Sequence, residues 1–204
     1  MYIYIKTMKR IWIFLKIFIR GGARVFPLYI LFLLRTKICH DEYAGLYYQD
    51  ISHMPNLNFF SVLVYKPHYK MILYHRLGEI STPFRWFCGT FPTFRIASRN
   101  KTWIGGGVNI DHPYGTFLNA ICIGENFTCR HNATLGCNHG GRPIVGNNVE
   151  LGCGACILGN VKVGNNVKVG ANCVITKNVP DNCTVVGCPA YIVKQNGIKV
   201  RIKL

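Results

Sequence analysis

From Val145 to Pro180 the chain repeats itself every six residues, in six unbroken hexads. They read Val145-Gly-Asn-Asn-Val-Glu, Leu151-Gly-Cys-Gly-Ala-Cys, Ile157-Leu-Gly-Asn-Val-Lys, Val163-Gly-Asn-Asn-Val-Lys, Val169-Gly-Ala-Asn-Cys-Val and Ile175-Thr-Lys-Asn-Val-Pro. Each opens on Val, Leu or Ile, and the fifth position is Val149, Ala155, Val161, Val167, Cys173 or Val179. A helix would set its apolar residues three and four apart, and an ordinary strand would alternate. A strict period of six fits neither. It predicts short strands joined by turns and stacked as a β-helix solenoid. The opening residues then point into the coil, where burying each contributes roughly 1.5–3 kcal/mol. Gly and Asn crowd the positions between, as corners with positive φ require.

The same rhythm starts upstream. Ile104 and Ile110 open two hexads, a one-residue slip falls between Thr116 and Cys122, and Ile123 and Cys129 restore the period. Leu135 opens the next, and Gly136 to Ile144 breaks it as a loop leaving the coil. The repeat thus predicts roughly four coils of about 18 residues. The expected organisation is a helical, basic region over 1–103, a mainly-β solenoid over 104–194 and a basic tail over 195–204.

Charge sets the company the chain keeps. Its 204 residues carry a net charge of +16. Residues 1–103 hold 15 Lys and Arg against four acids, and residues 104–204 hold nine against four. This bias implies anionic partners. No RNA- or DNA-binding signature accompanies it, so nucleic acid is not an expected partner. Residues 1–35 carry seven basic residues and no acid. Tyr2–Ile19 has the length of a helix, and Val25–Leu34 is an apolar run. Neither reaches the ~20 apolar residues of a transmembrane span, and no small-residue cleavage site follows. The expected reading is an in-plane segment on anionic lipid, the alternative a packing element. Residues 36–103 are rich in aromatics, with one helix expected over Phe60–Leu77 and with His40, His53, His68 and His75 read as structural or solvated.

Ten cysteines raise the questions of disulfides and zinc. Cys129 and Cys173 occupy positions where the hexads take small apolar residues, and a free Cys packs as one. Cys153 and Cys156 form a CxxC within one hexad, without a second. No metal is expected, and reduced thiols point to a cytoplasmic setting.

The repeat resembles the hexapeptide-repeat acyltransferases, which fold as left-handed parallel β-helices. Asn-Ile-Asp111-His112-Pro-Tyr-Gly is similar to the Asp-His of serine O-acetyltransferases, as are the coil from Ile123 to Gly136 and the closing Gly187-Cys188-Pro189-Ala190. The wording His-Pro-Tyr-Gly and the aromatic N-terminal region look closer to the branch serving capsule and exopolysaccharide synthesis. The resemblance covers residues 104–194.

What it implies is acetyl transfer from acetyl-CoA to a hydroxyl. A hydroxyl attacks a thioester only when a base takes its proton, and His does so near neutral pH. His112, beside Asp111, is the candidate base. Backbone N–H groups of Gly152-Cys153-Gly154 or of the Gly136 loop are candidate oxyanion donors. The coenzyme is expected along Gly152, Cys153, Gly154, Gly170, Ala171, Gly187, Pro189, Ala190 and Lys194, with Lys199, Arg201 and Lys203 near its phosphates.

Two positions depart from the serine acetyltransferase pattern. The Asp that orients the catalytic His, fifteen residues before it, is Ala97 here, and the second His, before the Pro that follows the loop, is Arg142. His131 and His139 are possible substitutes. The expected acceptor is therefore a sugar hydroxyl of a surface polysaccharide or its lipid-linked precursor, with L-serine as the alternative. A homotrimer with active sites between subunits is implied. Two other classes stay open: a β-helix carbonic anhydrase holding zinc through His112, His131 and His139, and a solenoid that only scaffolds.

Overall fold

The computed structural model of the chain describes residues 12, 19, 21, 23–54, 59–138, 140–188 and 190–204. Three parallel sheets form the walls of a prism-like coil. The first wall stacks β1 (Phe94–Ile96), β4 (Thr116–Leu118), β7 (Thr134–Gly136), β10 (Cys156–Leu158) and β13 (Val174–Ile175). The second stacks β2 (Trp103–Ile104), β5 (Cys122–Ile123), β8 (Ile144–Val145) and β11 (Lys162–Val163). The third stacks β3 (Asn109–Ile110), β6 (Thr128–Cys129), β9 (Glu150–Leu151), β12 (Lys168–Val169) and β14 (Cys183–Val186). The five strands of the first wall make about five turns, one more than the hexads predict.

The reason is β1. It has no hexad text, yet Ile96 pairs with Leu118 in register. The coil therefore begins at Phe94 rather than Ile104, and its first strand lies inside the region expected to be helical. The top also differs. Within the expected basic tail, β16 (Ile198–Lys203) pairs antiparallel with β15 (Tyr191–Gln195), which itself pairs antiparallel with β14, so both extend the third wall.

The hexad logic holds along the core. The opening residues Val145, Leu151, Ile157, Val163, Val169 and Ile175 are buried, and so are Val149, Ala155, Val161, Val167, Cys173 and Val179. One corner is laced by side chains. Asn126, Asn148, Asn166 and Asn182 all have φ near +55° and pass amide hydrogen bonds of 2.9–3.0 Å up the stack.

Below the coil sit six helices among the described residues: α1 (Ala23–Leu33), α2 (Glu42–Gly45), α3 (Tyr47–Ile51), α4 (Phe59–Tyr65), α5 (Tyr69–Leu77) and α6 (Thr82–Cys88). The single helix expected over Phe60–Leu77 is two, α4 and α5. Pro67, which cannot donate a helical N–H, lies between them. Tyr47, Tyr69, Tyr74 and Phe59 fill the interior of this layer. Gly106 seals it to the coil, since a Cβ there would collide with the Gln49 side chain. The expected helix over Tyr2–Ile19 falls almost wholly outside the described residues. No described helix is long and apolar enough to cross a membrane.

Candidate active site

Five rungs of the third wall end at one corner of the prism. Register aligns Ile110, Cys129, Leu151, Val169 and Val185. The residues that follow them therefore stack: Asp111, Arg130, Gly152, Gly170 and Val186. With neighbouring strands about 4.8 Å apart, the column from Asp111 to Val186 runs roughly 19 Å.

The corner closes the same way in most turns. Gly115, Asn132, Gly154 and Asn172 all have positive φ, from 54° to 68°. Asn132 N–H donates to the Tyr114 carbonyl, Gly154 N–H to that of His131, and Asn172 N–H to that of Cys153. Tyr114, His131, Cys153 and Ala171 thus share one level of the corner. The bottom turn is longer than the others. Eight positions separate Ile110 from Leu118, while six separate Cys129 from Leu135 and Leu151 from Ile157. The two surplus residues are His112 and Pro113. An insertion in the turn therefore carries the candidate base out of the wall of the coil.

His112 itself adopts positive φ (49°), an uncommon state for a residue with a side chain. Backbone of this kind persists where surroundings enforce it, and it clusters at functional sites. Its Nε2 lies 3.3 Å from Asp111 Oδ1, and its side chain is 72% exposed. The imidazole is thus held by a carboxylate yet open to a ligand. A buried neighbour of this pair is His68, whose ring feels the charges of both Asp111 and His112. His68 is buried, and its Nε2 has no hydrogen-bond partner. Burial, with help from the Lys66 charge, pushes its pKa down to about 4, so it is neutral. The sequence alone reads His68 as structural or solvated; its burial near the Asp–His turn comes only from the docking of the helical layer.

The other predicted residues divide by corner. His131, Gly152, Cys153, Gly154, Gly170, Ala171 and Gly187 all line the column above Asp111. The Gly152 and Gly154 N–H groups donate to the Val169 and His131 carbonyls, so neither serves as an oxyanion donor. Their glycines have structural reasons: a Cβ on Gly152 would strike the Gly170–Ala171 backbone at 2.7–3.0 Å, and Gly154 needs its positive φ. Ala190 is buried at the start of the closing hairpin. Lys194 lies opposite Lys199 on paired strands, and Arg201 covers the Tyr191 ring at 5.4 Å. Two like charges facing each other across strands repel, which suits an anion between them. Arg142 stands elsewhere. It reaches the carbonyls of Lys101 (2.6 Å) and Ala120 (3.2 Å), at the corner joining the first and second walls. Ala97, which pairs with the end of β4 through the Leu118 carbonyl, lies at that same corner. Both departures from the expected pattern thus sit on the corner that His112 does not occupy. His139 and Pro189 lie outside the described residues. Among the described residues no three His, Cys, Asp or Glu converge as a metal site.

Residues 142–177 match the family described as bacterial transferase hexapeptide (six repeats). The match spans 36 of the chain's 204 residues. The chain is 43% identical over 102 residues to a serine acetyltransferase of Staphylococcus aureus, covering 48% of each chain. It spans about half the length of the curated relatives it matches. Among solved structures it resembles serine acetyltransferase from Brucella abortus strain S19, with a TM-score of 0.63 and 26% identity over 81% of this chain and 73% of that one. The same Brucella enzyme in complex with coenzyme A matches with a TM-score of 0.61 at 25% identity, over 82% and 72% of the two chains.

Proposed function

We propose that this chain is an acetyl-CoA-dependent O-acetyltransferase with L-serine or a similarly small hydroxyl compound as acceptor. The observation that carries the reading is the corner column, with Asp111–His112 projecting at its foot and Gly187 near its head. In the proposed reaction His112 removes the acceptor hydroxyl proton as the oxygen attacks the thioester carbonyl. The C–S bond breaks, and the departing thiolate regains the proton from His112. The coenzyme lies along Gly152–Gly154 and Gly170–Ala171, with Lys194 and Lys199 toward its phosphates. The serine acetyltransferase relatives support serine ahead of the sugar that the sequence favoured. Of the aromatics between residues 36 and 103, Tyr47, Tyr69, Tyr74, Phe59 and Phe94 are buried in packing, while Tyr48, Tyr65, Trp86 and Phe87 are exposed.

A homotrimer is part of the proposal. Within one chain Arg142 and His112 occupy different corners, so only a second copy brings such corners together. Thiol release from acetyl-CoA tests the whole reading. Turnover with millimolar L-serine is expected; no release with either serine or hexose and hexosamine glycans overturns it.

A peripheral membrane contact is a second, separable proposal, alongside a cytoplasmic setting in keeping with ten unbridged cysteines. Phe26, Ile30 and Leu34 recur at helical spacing on an exposed face of the N-terminal helix and the turn after it, near Arg24 and Lys37. Co-sedimentation with anionic vesicles at low salt checks it, and absence of binding there removes it.

A further inference from the structure

Beside the Asp–His turn lies a cleft of about 300 Å³, walled by His53, Met54, Lys66 and Tyr69 from the helical layer and by Asn109, Ile110, Asp111, Thr128 and Arg130 from the coil. That volume is at the small end of ligand pockets, suited to a monomer and too small for a length of polymer. The cleft shares Asp111 with the candidate base, so a molecule seated there is adjacent to His112.

Its polar floor is already satisfied. The Tyr69 hydroxyl accepts from Ile110 N–H (3.3 Å) and shares a second hydrogen bond with His53 Nε2 (3.0 Å). Burial lowers the His53 pKa, against the nearby Asp50 charge and with a smaller contribution from Lys66. The imidazole is neutral and takes no part in balancing charge. What remains is two cations, Lys66 and Arg130, on opposite walls, and one carboxylate, Asp111. Among the described residues neither cation forms an ion pair. Lys66 lines the cleft on the same wall as His53.

We propose that this cleft is the acceptor site and that Lys66 and Arg130 select an acceptor bearing a carboxylate. The inference rests on the acetyltransferase reading and narrows its substrate class. A carboxylate between two cations gains charge-assisted hydrogen bonds, while Asp111 stays available to a hydroxyl or an ammonium group. The carboxylate belongs either to a hydroxy amino acid or to an acidic sugar; a neutral hexose leaves both cations unanswered.

Equilibrium binding to the full-length protein, followed by NMR, tests this without requiring turnover. The probes are L-serine, L-serinamide, D-glucuronate and D-glucose. L-serine or D-glucuronate is expected to bind at least tenfold more tightly than its neutral counterpart, and which of the two binds identifies the source of the carboxylate. Lys66→Gln and Arg130→Gln are each expected to weaken the favoured acid at least tenfold without changing the neutral compound, and Lys66→Arg to restore most of the loss. Equal binding of acid and neutral forms, or unchanged affinity in both Gln variants, overturns the proposal. If the acid binds with this dependence yet no thiol is released from acetyl-CoA, the cleft stands and the activity reading falls. If a neutral glycan is acetylated and no acid binds, the reverse holds.

Discussion

Arg76 and Asp50 form a fully buried ion pair in which Nε and Nη2 each donate to a separate carboxylate oxygen at 3.0 Å. The guanidinium also donates to the carbonyls of Ile104 and Gly105, and Asp50 accepts from Val108 N–H at 2.9 Å. One salt bridge from two helices therefore caps the open backbone of the first coil, where no lower strand exists to pair with it. Removing one partner of such a pair strands a charge in the interior, at a cost of about 3–5 kcal/mol. Arg76→Met is expected to lower the urea midpoint by that measure. The double variant Asp50→Leu, Arg76→Met should recover part of it, because no charge is then left unpaired. A single variant as stable as the parent would show that the pair is not what joins the helices to the coil.

His112→Ala is expected to reduce kcat by about 10²–10⁴ while acetyl-CoA affinity changes little. The side chain is exposed on an inserted turn, so its loss opens no cavity in the core. Steady-state thiol release alongside direct coenzyme binding separates the two effects. Retention of more than half the parental rate would assign the base to another group.

Stability should fall on acidification between pH 6.5 and 4. Burial holds His68 at about 4, and burial reinforced by Arg76 does the same to His75, both from an ordinary value of 6.5. In that window the unfolded chain binds protons that the folded one refuses, so stability is full above pH 6.5 and is lost as pH drops toward 4. Urea midpoints at pH 7 and pH 4.5 measure the slope, and His68→Phe should flatten it. An unchanged slope in that variant would mean His68 charges freely within the fold.

Saturating acetyl-CoA should slow maleimide labelling of Cys153 and Cys188 and leave Cys39 unaffected. Cys153 lines the corner column half-buried, Cys188 is exposed next to Gly187, and Cys39 is exposed far along the chain beside the helical layer. Mass spectrometry of the labelled peptides reads all three at once. Equal protection of Cys39, or protection of none, would move the coenzyme off this corner.

The period of six by itself determined the solenoid, its inward residues and the corners that need Gly or Asn, because each choice is local and repeats identically from turn to turn. Asp111 and His112 as candidate base, and the glycines expected along the coenzyme, came from the family resemblance, as did the left hand. Tertiary structure alone decided the rest. β1 has no hexad text and becomes a strand only because β4 offers it an edge. The tail supplies β16 because β15 would otherwise end the third wall on unpaired backbone. His68 and the cations Lys66 and Arg130 reach the Asp–His turn only when the helical layer docks on the coil. That docking depends on the buried pairing of Asp50 with Arg76, a contact between residues 26 positions apart that no local pattern announces.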